Sequence, residues 1–200
     1  LKKSLPRYLS LDESIQLLEA VDEPNQARDY CILTLFLNCG LRISELVSLN
    51  TTDVREEQLR VLGKGNKERM IFLNEACRAA LDDWLEERSR QAAADPNALF
   101  LTRTHTRMTK DAVHYMVKQR LKKAGLDASL YSSHKLRHTA ATLMLQNGVD
   151  VRTLQEVLGH ENLNTTQIYT HVDNENLRSA AKANPLGRMK KKSTPIPPGK

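Results

Sequence analysis

The sequence predicts a mainly α-helical domain carrying one small antiparallel β-sheet, a hairpin. Three observations lead there. Apolar residues recur at helical spacing through most of the 200 residues, in segments that tend to open on Ser, Thr, Asn or Asp and close at Gly or Pro. The run Cys31-Ile32-Leu33-Thr34-Leu35-Phe36-Leu37 is apolar almost all round, a pattern that suits a helix at the centre of a core. One pair of segments, 58–62 and 69–73, carries the strand formers Val61, Leu62, Ile71 and Phe72. It flanks Gly63-Lys64-Gly65-Asn66-Lys67-Glu68, whose glycines and Asn suit a hairpin turn.

Taken in order, residues 1–9 form an extended lead-in with Pro6. Ser10 and Glu13 make a capping box for a first helix that runs to about Val21, with Leu11, Ile15, Leu17 and Leu18 apolar. Pro24 breaks it. The second helix spans 25–39 and ends at Gly40. Arg42 follows in a turn that opens a short helix with Ile43, Leu46, Val47 and Leu49 on its apolar side. After the hairpin, Asn74 caps a helix to about Arg90, with Trp84 in the core. Residues 92–97 link to a short extended piece, 98–101, and a polar loop, 102–106. Thr109 caps a helix over 110–124, stopped by Gly125. Next come helices over 134–146 and 151–158, stopped by Asn147-Gly148 and Gly159; Asp150 caps the second. Asn162 and Asn164 open a segment over 165–171. The last helix, 175–183, has only Leu177, Ala180, Ala181 and Ala183 as its apolar set, a thin stripe for packing on its own domain. Residues 188–200, basic and Pro-rich, read as a disordered tail after a single domain over 1–187.

Composition narrows the function. Apolar content of 40% and charged content of 27% exclude a disordered chain, and 200 residues suit one core. The net charge of +6 leans towards a polyanionic partner. Cys31, Cys39 and Cys77 form no CxxC pair and read as buried reduced thiols, so a cytoplasmic location is expected. The longest apolar run, 31–39, is too short for a bilayer, and the N-terminus lacks a signal-peptide core. The chain does not start with Met, so a piece of a longer protein is expected.

Chemistry concentrates in residues 134–169, HKLRHTAATLMLQNGVDVRTLQEVLGHENLNTTQIY. His134 and Arg137, three apart, share a helix face. A guanidinium clamps a phosphodiester through paired donors, imidazoles move protons and a phenol attacks, so Arg137, His134, His160 and Tyr169 form a plausible phosphodiester site. No cluster of Asp and Glu is present to seat a pair of magnesium ions, so cations of the protein must meet the charge on phosphate. Elsewhere the residues leave alternatives open. Arg42 suits a surface arginine, or one paired with Glu45, as well as a phosphate ligand. The hairpin cations Arg60, Lys64, Lys67 and Arg69 suit a solvated tip or DNA phosphates. The flank His114, Lys118, Arg120, Lys122 and Lys123 suits a solvated helix face or a DNA backbone.

The motifs GLRISEL (40–46), GKGNKER (63–69), HKLRH (134–138), LGH (158–160) and Tyr169, in that order, resemble the catalytic domain of a tyrosine recombinase, the family of phage integrases and Xer proteins. GKGNKER and the block from LGH to TTQIYTHV resemble the bacterial Xer branch most. The resemblance covers nearly all of residues 5–185 and implies the tyrosine recombinase catalytic-domain fold. It also implies roles. Arg42 and Arg137 hold the scissile phosphate, Lys64 protonates the leaving 5′ oxygen, and His134 assists proton transfer at the nucleophile. His160 donates to the phosphate and Tyr169 attacks to give a 3′-phosphotyrosine. Arg60, Lys67, Arg69, Lys118 and Lys122 are expected on DNA.

By the same resemblance, no metal or cofactor is needed. The partners are double-stranded DNA at a specific site, a homo- or hetero-tetramer on two sites, and in some members a DNA translocase. The work is chromosome-dimer resolution or mobile-element integration and excision. An N-terminal DNA-clamp domain is expected to be missing from this chain, and the thin-striped last helix is expected to dock on a neighbouring subunit. A type IB topoisomerase-like enzyme and a non-catalytic DNA-binding module are the competing readings.

Overall fold

The core is built around one helix. The computed structural model describes residues 8–159 and 172–191. In it, α1 (Leu11–Glu19) starts at the Ser10 capping box, with the Glu13 amide donating to Ser10 Oγ and the Ser10 amide to Glu13 Oε1. α2 (Gln26–Cys39) is buried from Ala27 to Cys39 and packs against α1, α4 and α6, as its all-round apolar sequence requires. Gly40 ends it at φ +62, where a Cβ would stand 2.4 Å from Leu158 Cδ2. Glycine is needed there for both reasons.

α3 (Ile43–Ser48) follows at once. β1 (Gln58–Leu62) and β2 (Glu68–Phe72) pair antiparallel from Gln58↔Phe72 to Leu62↔Glu68, one residue off the expected start of the second strand. A 3-10 turn over Lys64–Asn66 joins them, with Gly65 and Asn66 at positive φ, and the Gly63 amide donates to Lys67 O across its base. α4 (Glu75–Ser89) is capped by Asn74 and holds Trp84, whose Nε1 donates to Leu99 O. The piece over 98–101 makes only single bridges, Asn50↔Ala98 and Leu101↔Arg107, and no further strand. α5 (Lys110–Lys123) starts at the Thr109 cap and α6 (Ser133–Gln146) at Ser132.

A second, smaller cluster joins α6, α7 (Val151–Leu158) and α8 (Asn174–Ala183) through Ala140, Met144, Val149, Leu154, Leu158 and Ala180. The thin stripe of α8 suffices for contact with α7 and β2 of its own chain. Its polar bolts explain why. Asn74 Nδ2 donates to Ala181 O, Asn184 Nδ2 donates to Leu37 O, and Arg178 lies 4.7 Å over the Phe72 ring. Docking on a neighbouring subunit belongs to an assembly; within one chain the helix covers its own domain.

Residues 188–191, expected as the start of a disordered tail, are ordered against the domain. Leu186 is buried in the main core, Gly187 O accepts from the Ala76 amide, Met189 packs on the core, and Lys191 pairs with Asp83. Residues 188–191 therefore lie along the domain, and 192–200 lie outside the described residues. No helix among the described residues is long and apolar enough to cross a membrane.

Candidate active site

Three guanidiniums meet at the C-terminus of α7. The last carbonyls of a helix lack partners within it, and cations are favourable at that end. Here Arg137 Nη2 donates to Leu158 O at 3.0 Å, Arg42 Nη1 reaches the same oxygen at 3.5 Å, and Arg69 Nε donates to Val157 O at 3.1 Å. Arg137 Nη1 also donates to Gly40 O. The glycine that stops α2 thus carries a carbonyl for one arginine and makes room for Leu158, whose carbonyl serves two.

Arg137 is 7% exposed, and its pKa is pushed down from the ordinary arginine range to about 10. Burial is the largest cause, with the charges of Arg42 and Arg69 adding to it and Glu45 opposing. A cation crowded in this way gains by meeting an anion. Arg42, just before α3, keeps 40% of its side chain exposed. Its amide donates to Glu45 Oε1 at 2.8 Å, and its Nη1 lies 3.6 Å from Glu45 Oε2.

Glu45 is the one carboxylate in this group of described residues, 2% exposed. Burial alone would raise its pKa. The hydrogen bond and charge of Arg69, then the Arg42 amide and side chain, outweigh burial and hold the carboxyl below its usual range. Arg69 Nη1 and Nη2 both bond this carboxylate. Sequence reading raised Glu45 only as a partner for Arg42. Its i+3 spacing from Arg42, next to the buried Leu46, was the available signal, since a buried acid requires cations.

The structure places the other expected residues as follows. Lys64 is exposed on the 3-10 turn at the hairpin tip. His134 is exposed in the first turn of α6, next to Ser133, whose Oγ lies 3.3 Å from His114 Nδ1 of α5. His160 and Tyr169 lie outside the described residues. Among the expected DNA contacts, Lys67 and Lys122 are exposed. Arg60 is engaged by Asp53 at 3.0 Å and by Glu68, and Arg69 by Glu45 and Val157 O. Lys118 Nζ donates to Ala128 O and Tyr131 O, which ties α5 to the segment entering α6. Arg120, read as part of a basic flank, is buried at 6% exposure on Asp29 and Asp22. Among the described residues, no group of three or more His, Cys, Asp and Glu is arranged to hold a metal ion.

In a mostly helical domain, the α2–α3 turn, the hairpin and α6 thus bring Arg42, Arg69 and Arg137 to one helix end. The model of the phage integrase family matches residues 7–176, and the chain belongs to that family. Within it the similarity is to the Xer branch. The tyrosine recombinase XerC of Caldanaerobacter subterraneus subsp. tengcongensis is 55% identical over 184 residues, which is 92% of this chain and 52% of that protein. XerC of Vibrio cholerae serotype O1 is 41% identical over 198 residues, 96% of this chain and 62% of that protein.

Two solved structures share the fold. The crystal structure of XerA recombinase superposes with a TM-score of 0.73 at 34% identity, covering 90% of this chain and 65% of that one. XerH recombinase bound to its difH substrate in a pre-cleavage complex gives 0.69 at 30% identity, covering 90% and 55%. The fold is that of the tyrosine recombinase catalytic domain. The chain spans about half to three-fifths of the length of these two XerC proteins.

Proposed function

We propose that this chain is the catalytic domain of a site-specific DNA recombinase that cleaves and rejoins DNA strands through a 3′-phosphotyrosine. The observation that carries the reading is the charge surplus at the end of α7: among the described residues, Arg42, Arg69 and Arg137 stand against Glu45 alone. A phosphodiester entering this place supplies the missing negative charge. Arg42 and Arg137 bind the non-bridging oxygens and stabilise the charge that grows on them as phosphorus becomes five-coordinate. Tyr169 Oη attacks phosphorus, with His134 assisting removal of its proton and His160 donating to the phosphate. The P–O5′ bond breaks, and Lys64 delivers a proton to the departing O5′. One ester replaces another, so the 5′ hydroxyl of a second strand reverses the step without ATP. Lys64 is well placed for a mobile acid, because it sits on an exposed turn fixed at its base by the Gly63–Lys67 hydrogen bond. Lys67 and Lys122 add backbone contacts to DNA.

XerH is described as bound to a difH substrate, and the chain is similar to XerC proteins at 41–55% identity. Chromosome-dimer resolution in the cytoplasm, by four subunits on two sites with a DNA translocase as activator, is the assembly this supports; element integration or excision uses the same chemistry. The test is covalent trapping. A nicked suicide duplex bearing a candidate site is incubated in EDTA with the chain and with Tyr169→Phe, then run on a denaturing gel. A shifted protein–DNA band that requires Tyr169 is expected. No band from this chain or from its full-length parent, with duplex binding retained, would overturn the reading.

A further inference from the structure

Arg69 lies on β2, outside the six residues assigned to the reaction, yet it touches what holds them. Both terminal nitrogens bond the Glu45 carboxylate, Nη2 to Oε1 at 3.1 Å, and Nε donates to Val157 O at 3.1 Å. The same Oε1 accepts the Arg42 amide. A Cβ at Gly63, the residue before Lys64, would stand 3.5 Å from Glu45 Oε2, so this ion pair lies beneath the hairpin tip. Gly159 sits against the Arg69 side chain. A Cβ there would meet Nη1 at 3.0 Å and both Cδ and Cζ at 3.1 Å, at a φ of +68 that already favours glycine. The Arg69 side chain is 15% exposed and its fork faces inward.

Resting on the strand-cleavage reading above, we propose that Arg69 is a positioning residue: it saturates the Glu45 carboxylate so that Arg42 stays turned to the phosphate, and it does not contact DNA. Glu45 is buried and must be paired. With the Arg69 fork in place, Arg42 binds Glu45 by its amide at 2.8 Å, while its guanidinium makes only a longer ion pair, Nη1 to Oε2 at 3.6 Å, with 40% of the side chain open. Without Arg69 the carboxylate draws in the Arg42 guanidinium, and the clamp loses one of its two arms.

The test is single-turnover cleavage of the suicide duplex at saturating DNA by wild type, Arg69→Met, Arg69→Lys and Arg69→Met/Glu45→Gln, with DNA affinity measured across salt. Arg69→Met is expected to cleave about 10- to 100-fold more slowly, as misplacement of a reacting group does. Its affinity and salt slope stay near wild type. Arg69→Lys, which keeps the charge and loses the fork, falls between and also covers the case in which Arg69→Met does not fold. Adding Glu45→Gln to Arg69→Met recovers part of the rate, because a neutral amide no longer captures Arg42. A duplex with sulfur as the 5′ leaving atom, which needs no proton from Lys64, leaves the defect in place.

Wild-type cleavage with weakened binding and a salt slope reduced by about 0.9 would make Arg69 a phosphate contact and overturn the proposal. Recovery by the sulfur substrate would move its action to Lys64 and do the same. A further arm needs no DNA. The side-chain NMR signal of Arg42 Nε–H is expected to move on Arg69→Met, and on Arg69→Lys to a smaller extent; an unmoved signal overturns the proposal. If wild type forms no adduct while the Arg42 signal still follows Arg69, the strand-cleavage reading fails and the positioning stands.

Discussion

Two buried arginine clusters sit in this domain, and they differ in one respect. At the start of α2, Arg28 and Arg120 share Asp29: Arg28 Nε reaches Oδ1 and Arg120 Nε reaches Oδ2, both at 2.9 Å. The remaining donors close on Leu101 O, Asp22 and Pro24 O, and Lys123 adds to Asp22. Three cations face two carboxylates there, and the extra charge belongs to an exposed lysine. At the end of α7, among the described residues, three guanidiniums face Glu45 alone, and two of them share one carbonyl. Arg137 is as buried as Arg28 and Arg120. The first cluster is closed and joins the α1–α2 connection, α2 and α5. Among the described residues the second is short of negative charge, and the proposed phosphate would fill that shortage. A buried arginine therefore says little about function until its counter-charges are counted.

The comparison can be broken from its closed side first. Asp29→Ala leaves Arg28 and Arg120 buried without their shared carboxylate, so a loss of about 3–5 kcal/mol of stability is expected in urea unfolding. Cleavage per folded molecule stays near wild type, and a stability change under about 1 kcal/mol would show that the cluster is not closed as described. On the open side the pattern inverts. Arg137→Met removes a crowded charge, so the unfolding midpoint is expected to hold or rise, while single-turnover cleavage falls about 100- to 1,000-fold. A midpoint well below wild type would make Arg137 structural, like Arg120.

Acid sharpens the contrast at Glu45. Its folded pKa is lowered below the ordinary value of 4.5, so its contribution to stability is fully present above that value and is lost as pH falls through the folded pKa. Thermal midpoints measured downward from pH 5 should fall less steeply in Glu45→Gln than in wild type; equal slopes would mean that the carboxylate is not held by its arginines. The smallest effect is expected at the exposed Lys122. Lys122→Ala should leave stability within about 0.5 kcal/mol and lower the DNA salt slope by about 0.9, with cleavage at saturating DNA unchanged.

Much of this was readable in advance because it is local. Ser10 with Glu13, Asn74, Thr109 and Asp150 cap the helices expected of them, since capping needs only a side chain and an amide three residues on. The hairpin followed from strand formers on either side of two glycines and Asn66, and the all-buried α2 from its continuous apolar run. The motifs in series pointed to the family.

The partners of charged side chains were not readable, because they are set by segments far apart in the chain. Lys118 and Arg120 lie two apart on one helix and looked like one basic flank. One ties down Ala128 and Tyr131, and the other is buried on Asp29, 91 positions away. Arg69 looked like a hairpin cation aimed at DNA, yet its fork closes on Glu45 and its Nε on Val157 O, 88 positions on. The thin stripe of α8 looked too weak for its own domain, because the bolts that hold it, Asn74 and Asn184 with Leu37 O, are polar and distant. Sequence by itself determined the helices, the hairpin and which residue types were available for phosphate chemistry, because periodicity, caps and turns act within a few residues. Only the tertiary structure decided which arginines are neutralised and which remain in surplus, because charge balance depends on what folding brings within a few ångströms.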